Sequence, residues 1–468
     1  MQEKRLAKTN RYDLTEGGVL SRLALVALPL IGTQIIQMVY NLTDMFWLGR
    51  MGVESGAAIA ASGSVGLYLW LSMAFMAFGA RGAEIGAAQN MGRGDRESAR
   101  RIAQSAYTLA ALLGGGYAAF LLLFSDPLIG FLNLAQAVHG TARAYLVIVA
   151  LGVPMSFVSG AAVGIFSGCG NSRTPFIINC VSLGLNIALD PLFIFGFGLG
   201  VRGAAIATVI AQAVSALLLT LALTRPALRP LEGFRAFAKP RLEDLRLILR
   251  WTLPIALESL LFTMLSMLLS RMINRYGTDV TAAQRVANQV ESLSWLIGGG
   301  FASAMTAFVG QNFGAGRWRR IRRGFYLSGA LMGAWGILVT LTLYFCGGPL
   351  FRLFMPDNET VVRAGIDYLK ILAFCQIFQC LEGIAAGAFR GMGRSVPPFI
   401  TSASANLLRL IAAVFLSRGP AGLFGIYWAI TIGAALRGMW VCLWYLRFAK
   451  TMPKEDGEPA AVPVRQGG

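Results

Sequence analysis

Three carboxylates lie where acidic side chains are rarely found, inside long apolar stretches of the sequence. Asp44 follows QIIQMVYNLT, Asp190 lies within NIALDPLF, and Glu258 lies within LPIALESLLF. A charged side chain at the centre of a bilayer costs about 2.5–3.5 kcal/mol on insertion scales, so an acid that is kept there indicates a functional site. The chemistry that such acids can perform is proton carriage or the binding of a small cation through carboxylate oxygens.

A neighbouring amide and the internal repeat of the chain bear on whether these acids have a functional or a structural role. Asn186 lies four residues before Asp190, and this spacing places the two side chains on one face of a helix. When the two halves of the chain are aligned as described below, the counterparts of Asp44 and Asp190 are Leu269 and Ala413. Acids that occur in the first half alone favour a coupling-ion site for H⁺ or Na⁺ over a structural role shared by both halves.

The elements that position these residues are membrane-spanning helices. Of the 468 residues, 56% are hydrophobic and 14% are charged, whereas a soluble domain has about 25% charged residues. This composition excludes disorder and an ordinary soluble enzyme. A span needs about 20 apolar residues, and the sequence predicts six such runs, a polar linker and six more: 20–48, 56–79, 102–124, 142–165, 175–197, 203–224, 251–273, 286–309, 325–346, 364–388, 397–416 and 422–446. The predicted fold is therefore an all-α polytopic membrane protein.

The surplus of basic residues is explained by topology. The chain has 41 Lys and Arg against 23 Asp and Glu, and its formal net charge is +18. Most basic residues fall in the N-terminus, the linker and alternate connections, as expected when those segments face the cytoplasm. We therefore exclude nucleic acid as a partner and predict a multi-pass protein of the plasma or inner membrane with both termini cytoplasmic. The predicted segments are an N-terminus (1–19), an N-lobe (20–224), a linker (225–250), a C-lobe (251–448) and a flexible tail (449–468).

Two pairs of short motifs show that the chain contains an internal repeat, in which its second half corresponds to its first. QNMGRG at 89–94 corresponds to QNFGAG at 311–316, and GCGNSRTPF at 168–176 corresponds to GMGRSVPPF at 391–399. Repeats of six helices enter the membrane in the same orientation, because six is even. The two bundles are therefore expected to be related by a pseudo-two-fold axis along the membrane normal, with a substrate space between them, as in an alternating-access transporter.

Enzymatic chemistry is not supported by the remaining residues. His139 is the only histidine, and the six cysteines form no CxxC pair, so neither a His/Cys metal cluster nor a Ser-His-Asp triad can be assembled. The sequence also lacks a phosphate-binding G-x-x-x-x-G-K-[ST] motif. We predict a protein that is not an enzyme and has no cofactor.

Several longer motifs resemble those of the multidrug and toxic compound extrusion (MATE) family, over about residues 15–448. The most specific are YNLTDMFWLGRMG, AQNMGRGD, LNIALDPLFIFGFGLGVRGAAIAT and VGQNFGAG. The resemblance implies twelve helices in two lobes, and export of organic cations and amphipathic drugs in exchange for inward H⁺ or Na⁺. It also implies a cation site, with Na⁺ as one candidate ion, at Asp44, Asn186, Asp190 and Thr208.

Other positions are candidates for the substrate cavity, and here the sequence departs from the family pattern. The candidates are Gln37, Tyr40, Glu258, Gln289 and Trp295. One branch of the family couples Na⁺ through acids in the seventh and tenth helices, but here Gln379 stands at the tenth-helix position, and Glu258 is about one turn from the usual seventh-helix acid. Glu258 is thus a contact for a cationic drug, or it pairs with a basic group such as Arg409 in a facing helix.

The alternative function is a flippase or exporter of a lipid-linked or other amphipathic precursor. That activity would need cavity arginines to hold a pyrophosphate group, and Arg409 and Arg437 are the candidates. In either case we expect a monomer whose partners are the lipid bilayer and small molecules.

Overall fold

Long α-helices account for nearly all of the chain in a computed structural model that describes residues 12–51, 55–132, 136–226, 228–352 and 359–457. We number the helices in chain order: α1 Val19–Gly49, α2 Ser55–Gly92, α3 Arg96–Leu123, α4 Ser125–Phe131, α5 Gln136–Gly168, α6 Arg173–Pro191, α7 Val201–Thr224, α8 Leu242–Ile273, α9 Thr278–Gly314, α10 Trp318–Arg352, α11 Glu359–Ala373, α12 Gln376–Gly391, α13 Val396–Arg418 and α14 Gly422–Thr451. A π-helical turn, Leu192–Gly196, follows α6.

Among the described residues, eleven helices are long and apolar enough to cross a membrane, and α11 and α12 together have the length and composition of one further span, bent by 49°. The predicted all-α polytopic membrane fold is confirmed, with eleven or twelve candidate spans. Within the predicted run 364–388, the helix is interrupted at Phe374 and Cys375. No proline or glycine marks this break in the sequence.

The helices pack into two units. Among the described residues, one unit contains 12–14 and 25–256, and the other contains 15–24 and 257–457. The core of the first unit is built largely from alanine, valine and leucine of α2, α3, α5 and α7. Small side chains let transmembrane helices approach closely, and this is the main source of packing energy in a bilayer, where the hydrophobic effect does not drive helices together.

The repeated sequence motifs are turns that end helices. In the first half, the N–H of Asp95 donates to the carbonyl of Asn90 at 3.0 Å, and in the second half the equivalent bond, between 317 and 312, measures 2.8 Å. Each turn requires a left-handed residue, which is Gly94 (φ +75°) or Gly316 (φ +67°), and glycine adopts that conformation without steric cost. After the first turn, the backbone N–H of Ser98 donates to the Asp95 carboxylate at 2.9 Å, and this bond holds the pKa of that carboxyl below its usual range.

The same symmetry extends to helix packing. A methyl group on Gly168 of α5 would lie 2.5 Å from the carbonyl oxygen of Glu84 in α2. In the second unit, a methyl group on Gly391 of α12 would lie 2.6 Å from the carbonyl oxygen of Thr306 in α9. These pairs of positions correspond in the repeat, so the two halves use one backbone contact twice.

We expect Gly168→Ala and Gly391→Ala each to lower the free energy of unfolding by about 1–3 kcal/mol, because the new methyl group meets a backbone carbonyl that cannot rotate away. Gly115→Ala is the matched control, since that glycine lies inside α3 with open space around it. Thermal unfolding of the purified variants in detergent measures the effect. Equal melting temperatures for all three variants would contradict this account of the repeat contact.

Candidate functional site

Two side-chain bonds hold α6 against α7 on one side of the predicted ion site, toward the N-terminus of α6. The hydroxyl of Ser182 donates to the carbonyl of Ala211 at 2.7 Å, and the hydroxyl of Ser215 donates to the Asn179 side chain at 3.2 Å. Serine hydroxyls that cross between helices are common in membrane bundles, where an unsatisfied polar group would face hydrocarbon. The bonds fix the rotation of α6 relative to α7.

This rotation buries Asn186 and Asp190 completely, with 0% of each residue exposed. The amide nitrogen of Asn186 donates to Asp190 Oδ1 at 3.2 Å, which confirms that the two side chains share a helix face. Within the part of the chain that the structure describes, the other amide atom, Asn186 Oδ1, is buried and accepts no hydrogen bond. A buried acceptor of this kind is costly unless a cation or a donor occupies the space beside it.

Tyr40 and Thr208, predicted for the cavity and for the ion site, are in contact with each other. Thr208 is buried on α7 and its hydroxyl donates to the carbonyl of Ala204 at 2.9 Å, while the Tyr40 hydroxyl donates to the Thr208 carbonyl at 3.2 Å. This places Tyr40 at the α1–α7 contact. Gln37, one turn earlier on α1, is exposed.

The backbone of Asp44 lies in α1, but its side chain lies outside the described residues. Its place in the predicted set with Asn186, Asp190 and Thr208 therefore stays a prediction. Among the side chains that the structure does describe, no group of three or more His, Cys, Asp or Glu is arranged to hold a metal ion.

In the second unit, Glu258 is paired with an arginine that the sequence analysis did not name. Arg390, near the end of α12, donates to Glu258 at 2.8 Å. Arg409 instead donates to the hydroxyl of Ser266 at 3.2 Å. The alternative in which Glu258 pairs with a basic group is therefore confirmed, but the partner is Arg390 and not Arg409.

A second pair of the same kind joins two further helices. Arg437 of α14 donates to Glu382 of α12 at 2.8 Å. Both side chains are largely buried, with 16% and 15% exposed. A buried ion pair of this sort fixes two helices together, and the loss of one partner leaves the other charge uncompensated.

The structure also shows a carboxylate that sequence reasoning missed. Glu291 lies in α9 with only 4% of the residue exposed, and its Oε1 accepts hydrogen bonds from Gln376 (3.0 Å), Trp295 (3.1 Å) and Gln379 (3.4 Å). Glu291 lies near the start of the predicted run 286–309, so it was not singled out as an interior acid. The helix α9 in fact begins at Thr278, and this places Glu291 well inside the helix.

The two remaining cavity candidates lie beside this carboxylate in sequence but differ in environment. Trp295 has 47% of its surface exposed while its indole N–H donates to Glu291. Its ring packs edge-on against Phe262 with 6.4 Å between centroids. Gln289 is half-buried, and its backbone carbonyl accepts the hydroxyl of Ser292 at 2.6 Å. The structure thus brings Trp295, and not the side chain of Gln289, to Glu291.

For the Glu382–Arg437 pair we expect a double-mutant cycle to show strong coupling. Glu382→Gln and Arg437→Gln alone should each lower the free energy of unfolding by about 1–3 kcal/mol, because each leaves a partly desolvated charge. The double variant should recover part of that loss, and thermal unfolding in detergent measures all three. The pair would be energetically irrelevant if the two single losses simply added.

Comparisons with known proteins agree with this architecture. The MatE family profile matches residues 29–192 and 254–415, which are two stretches of the repeat. The chain is 29% identical over 432 residues to the probable multidrug resistance protein NorM of Thermotoga maritima, covering 90% of this chain and 91% of that protein. It is 30% identical over 354 residues to the probable multidrug resistance protein YoeA of Bacillus subtilis, covering 73% and 75%.

Solved structures show the same fold. The outward-facing conformation of a multidrug resistance MATE family transporter superposes with a TM-score of 0.88 at 22% identity, covering 95% of this chain and 99% of that one. A MATE crystal structure in the bent conformation gives a TM-score of 0.86, also at 22% identity, with coverage of 94% and 98%. The chain belongs to the MATE family and is a multi-pass membrane transporter, not an enzyme.

Proposed function

We propose that this transporter exports organic cations and other amphipathic drugs in exchange for inward H⁺ or Na⁺, by alternating access of its two lobes. The observation that carries the proposal is the buried Asn186–Asp190 pair with its orphaned amide oxygen. A carboxylate, an amide carbonyl and a threonine hydroxyl, as predicted at Asp190, Asn186 and Thr208, are oxygen donors of the type that a hard cation prefers. The same carboxylate can take up a proton.

Coupling follows from the cost of burying charge. An ionised Asp190 in an apolar environment disfavours the sealed state of the surrounding helices, and a bound cation or proton removes that penalty. Ion binding and helix packing are thereby linked. With Asp44 as a second acid in the set, the two carboxylates would titrate as a pair.

The drug-binding side of the proposal is supported by aromatic rings in the second unit. Trp295 and Phe262 present ring faces and edges, and the guanidinium groups of Arg409 and Arg437 lie 5.4 Å and 5.6 Å from the Phe262 centroid. Trp295, with 47% of its surface exposed, offers an aromatic surface against which a flat organic cation can stack. Exposed methionines such as Met264 and Met267 add an adaptable apolar surface.

The flippase alternative is less well supported. A pyrophosphate group needs cavity arginines to hold it. Arg437 is already neutralised by Glu382, so of the two candidates only Arg409, which donates to Ser266 through one nitrogen, has no carboxylate partner among the described residues. Intact drug efflux after Arg409→Ala and Arg437→Ala would also argue against it.

We expect Asp190→Asn and Asn186→Ala to reduce dye efflux from cells or proteoliposomes to the background rate. Asp190→Asn keeps the size of the side chain but removes the charge that the ion neutralises. The matched control is Asp126→Asn, because Asp126 is an exposed acid paired with Arg143 at the surface, and its efflux should equal that of the wild type. Unchanged efflux by both site variants would refute the proposal.

The coupling ion is identified by imposing pH and sodium gradients separately on proteoliposomes. A proton-coupled protein accumulates dye under an inward proton gradient at equal sodium, and a sodium-coupled protein does so under the reverse conditions. Because Asp190 serves either ion, Asp190→Asn should remove the response to whichever gradient drives the wild type. A wild type that responds to neither gradient would exclude ion coupling.

A further inference from the structure

Glu291 differs from the other interior acids of the second unit in the type of partner that it has. Glu258 and Glu382 each accept from an arginine at 2.8 Å. Glu291 accepts from two amides and an indole, and among the described residues no Lys or Arg forms an ion pair with it. Amide and indole donors stabilise the anion but add no counter-charge, so the buried carboxylate keeps a charge cost that a bound proton would remove.

The amides come from a break in a membrane helix. Gln376 is the first residue of α12, directly after the 49° bend that separates α12 from α11. The first N–H groups of a helix have no intrahelical partner, and this end carries a partial positive charge that favours a nearby anion. Half-helices of broken spans are used in this way in transporters.

Three side chains donate hydrogen bonds to backbone carbonyls at the end of α11, where the helix is interrupted. Thr340 donates to the carbonyl of Ala373 at 2.8 Å, Thr431 donates to that of Ile371 at 3.3 Å, and Gln376 donates to that of Leu372 at 3.3 Å. The Gln376 amide nitrogen therefore bridges the break and the Glu291 carboxylate. Its other atom, Gln376 Oε1, is buried and accepts no hydrogen bond from any described residue.

The charged and titratable groups that interact with Glu291 come from α11, the break, α13 and α14. Tyr368 and Cys375 lie on the side of α11 and the break, Arg409 on α13 and Arg437 on α14. Arg437 is neutralised by Glu382. The remaining cation, Arg409, therefore balances an ionised Glu291, and protonation of Glu291 leaves this group with one net positive charge.

We propose that Glu291 is a proton-binding site of the second unit, which alternates between an anion held by Gln376 and Gln379 across the helix break and a neutral acid that holds them less tightly. One proton from the aqueous phase adds to Oε2, since three N–H groups already point at Oε1. The side chain goes from −1 to 0, and the same proton leaves to water on the other side of the membrane. The inference deepens the proposed antiport, on which it rests, by naming an ion-binding residue outside the Asp190 set.

Two consequences follow from the charge change. Neutralisation converts charge-assisted hydrogen bonds into ordinary ones, which are about half as strong, so the tie between α9 and α12 weakens at the break. The positive charge left on Arg409 also disfavours an organic cation beside Phe262 and Trp295. Proton and drug therefore occupy this unit in turn, as exchange transport requires.

Trp295 provides a direct reporter, because its indole N–H donates to the carboxylate that titrates. Intrinsic fluorescence of the purified protein in detergent is followed from about pH 4 to about pH 9, with no drug and no gradient. We expect a pH-dependent component that is absent in Glu291→Gln and in Trp295→Phe. It should persist at a shifted midpoint in Glu291→Asp, which keeps the charge, and persist unchanged in Asp190→Asn.

The second readout is the number of protons exchanged per drug molecule in proteoliposomes. Glu291→Gln should lower it by one while exchange of labelled drug down its own gradient continues. A wild-type fluorescence that does not depend on pH, a titration that survives Glu291→Gln, or an unchanged proton count would each overturn the inference. If the wild type shows no ion-coupled drug transport but its fluorescence titration still depends on Glu291, the antiport proposal is refuted and the assignment of Glu291 as a proton-binding site is retained.

Discussion

The interior of a membrane protein cannot hold an uncompensated charge, and this constraint governs where each acid of this transporter lies. Water is not available to solvate a carboxylate at that depth, so every buried acid needs an arginine, a set of hydrogen-bond donors or a proton. Glu258 and Glu382 have arginines, Glu291 has amides and an indole, and Asp190 has the amide of Asn186. The choice of partner separates two classes of acid. Arginine pairs bind helices together, whereas acids with neutral donors can gain and lose a proton.

The two halves of the chain share a scaffold but not a set of polar residues. Glycines at corresponding positions, such as Gly168 and Gly391, bring backbones together in the same way in both units, and the left-handed glycines of the repeated turns end equivalent helices. The acids do not follow this symmetry, because Asp190 corresponds to Ala413 and Glu291 has no acidic counterpart near position 69. The duplicated scaffold therefore gives each unit its own set of interior polar groups on the same packing framework.

Much of this arrangement can be predicted from the sequence, and the failures have physical causes. Twelve spans and the repeat follow from apolar length and from turn glycines, which are local signals. The shared face of Asn186 and Asp190 follows from helix periodicity. The partner of Glu258 could not be predicted, because Arg390 is 132 residues away and only packing decides which arginine reaches it. The break between α11 and α12 could not be predicted either, because no proline or glycine marks it in the sequence. The kink is stabilised by Thr340 and Thr431, which come from other helices.

The position of the amide donor determines what protonation can do in each unit. Asn186 and Asp190 lie on one helix, so donor and acceptor move together. In the proposed mechanism, a change of charge there acts chiefly through desolvation and ion binding. Two of the three donors to Glu291, the amides of Gln376 and Gln379, lie on α12, a different helix that begins at a bend. A change of charge at Glu291 therefore alters a contact between helices. The bend is the point at which such a contact can move with least loss of backbone hydrogen bonding, because the carbonyls freed there are already held by side chains that can follow them. A proton on the first kind of acid changes what a unit binds, and a proton on the second kind changes how its helices are arranged.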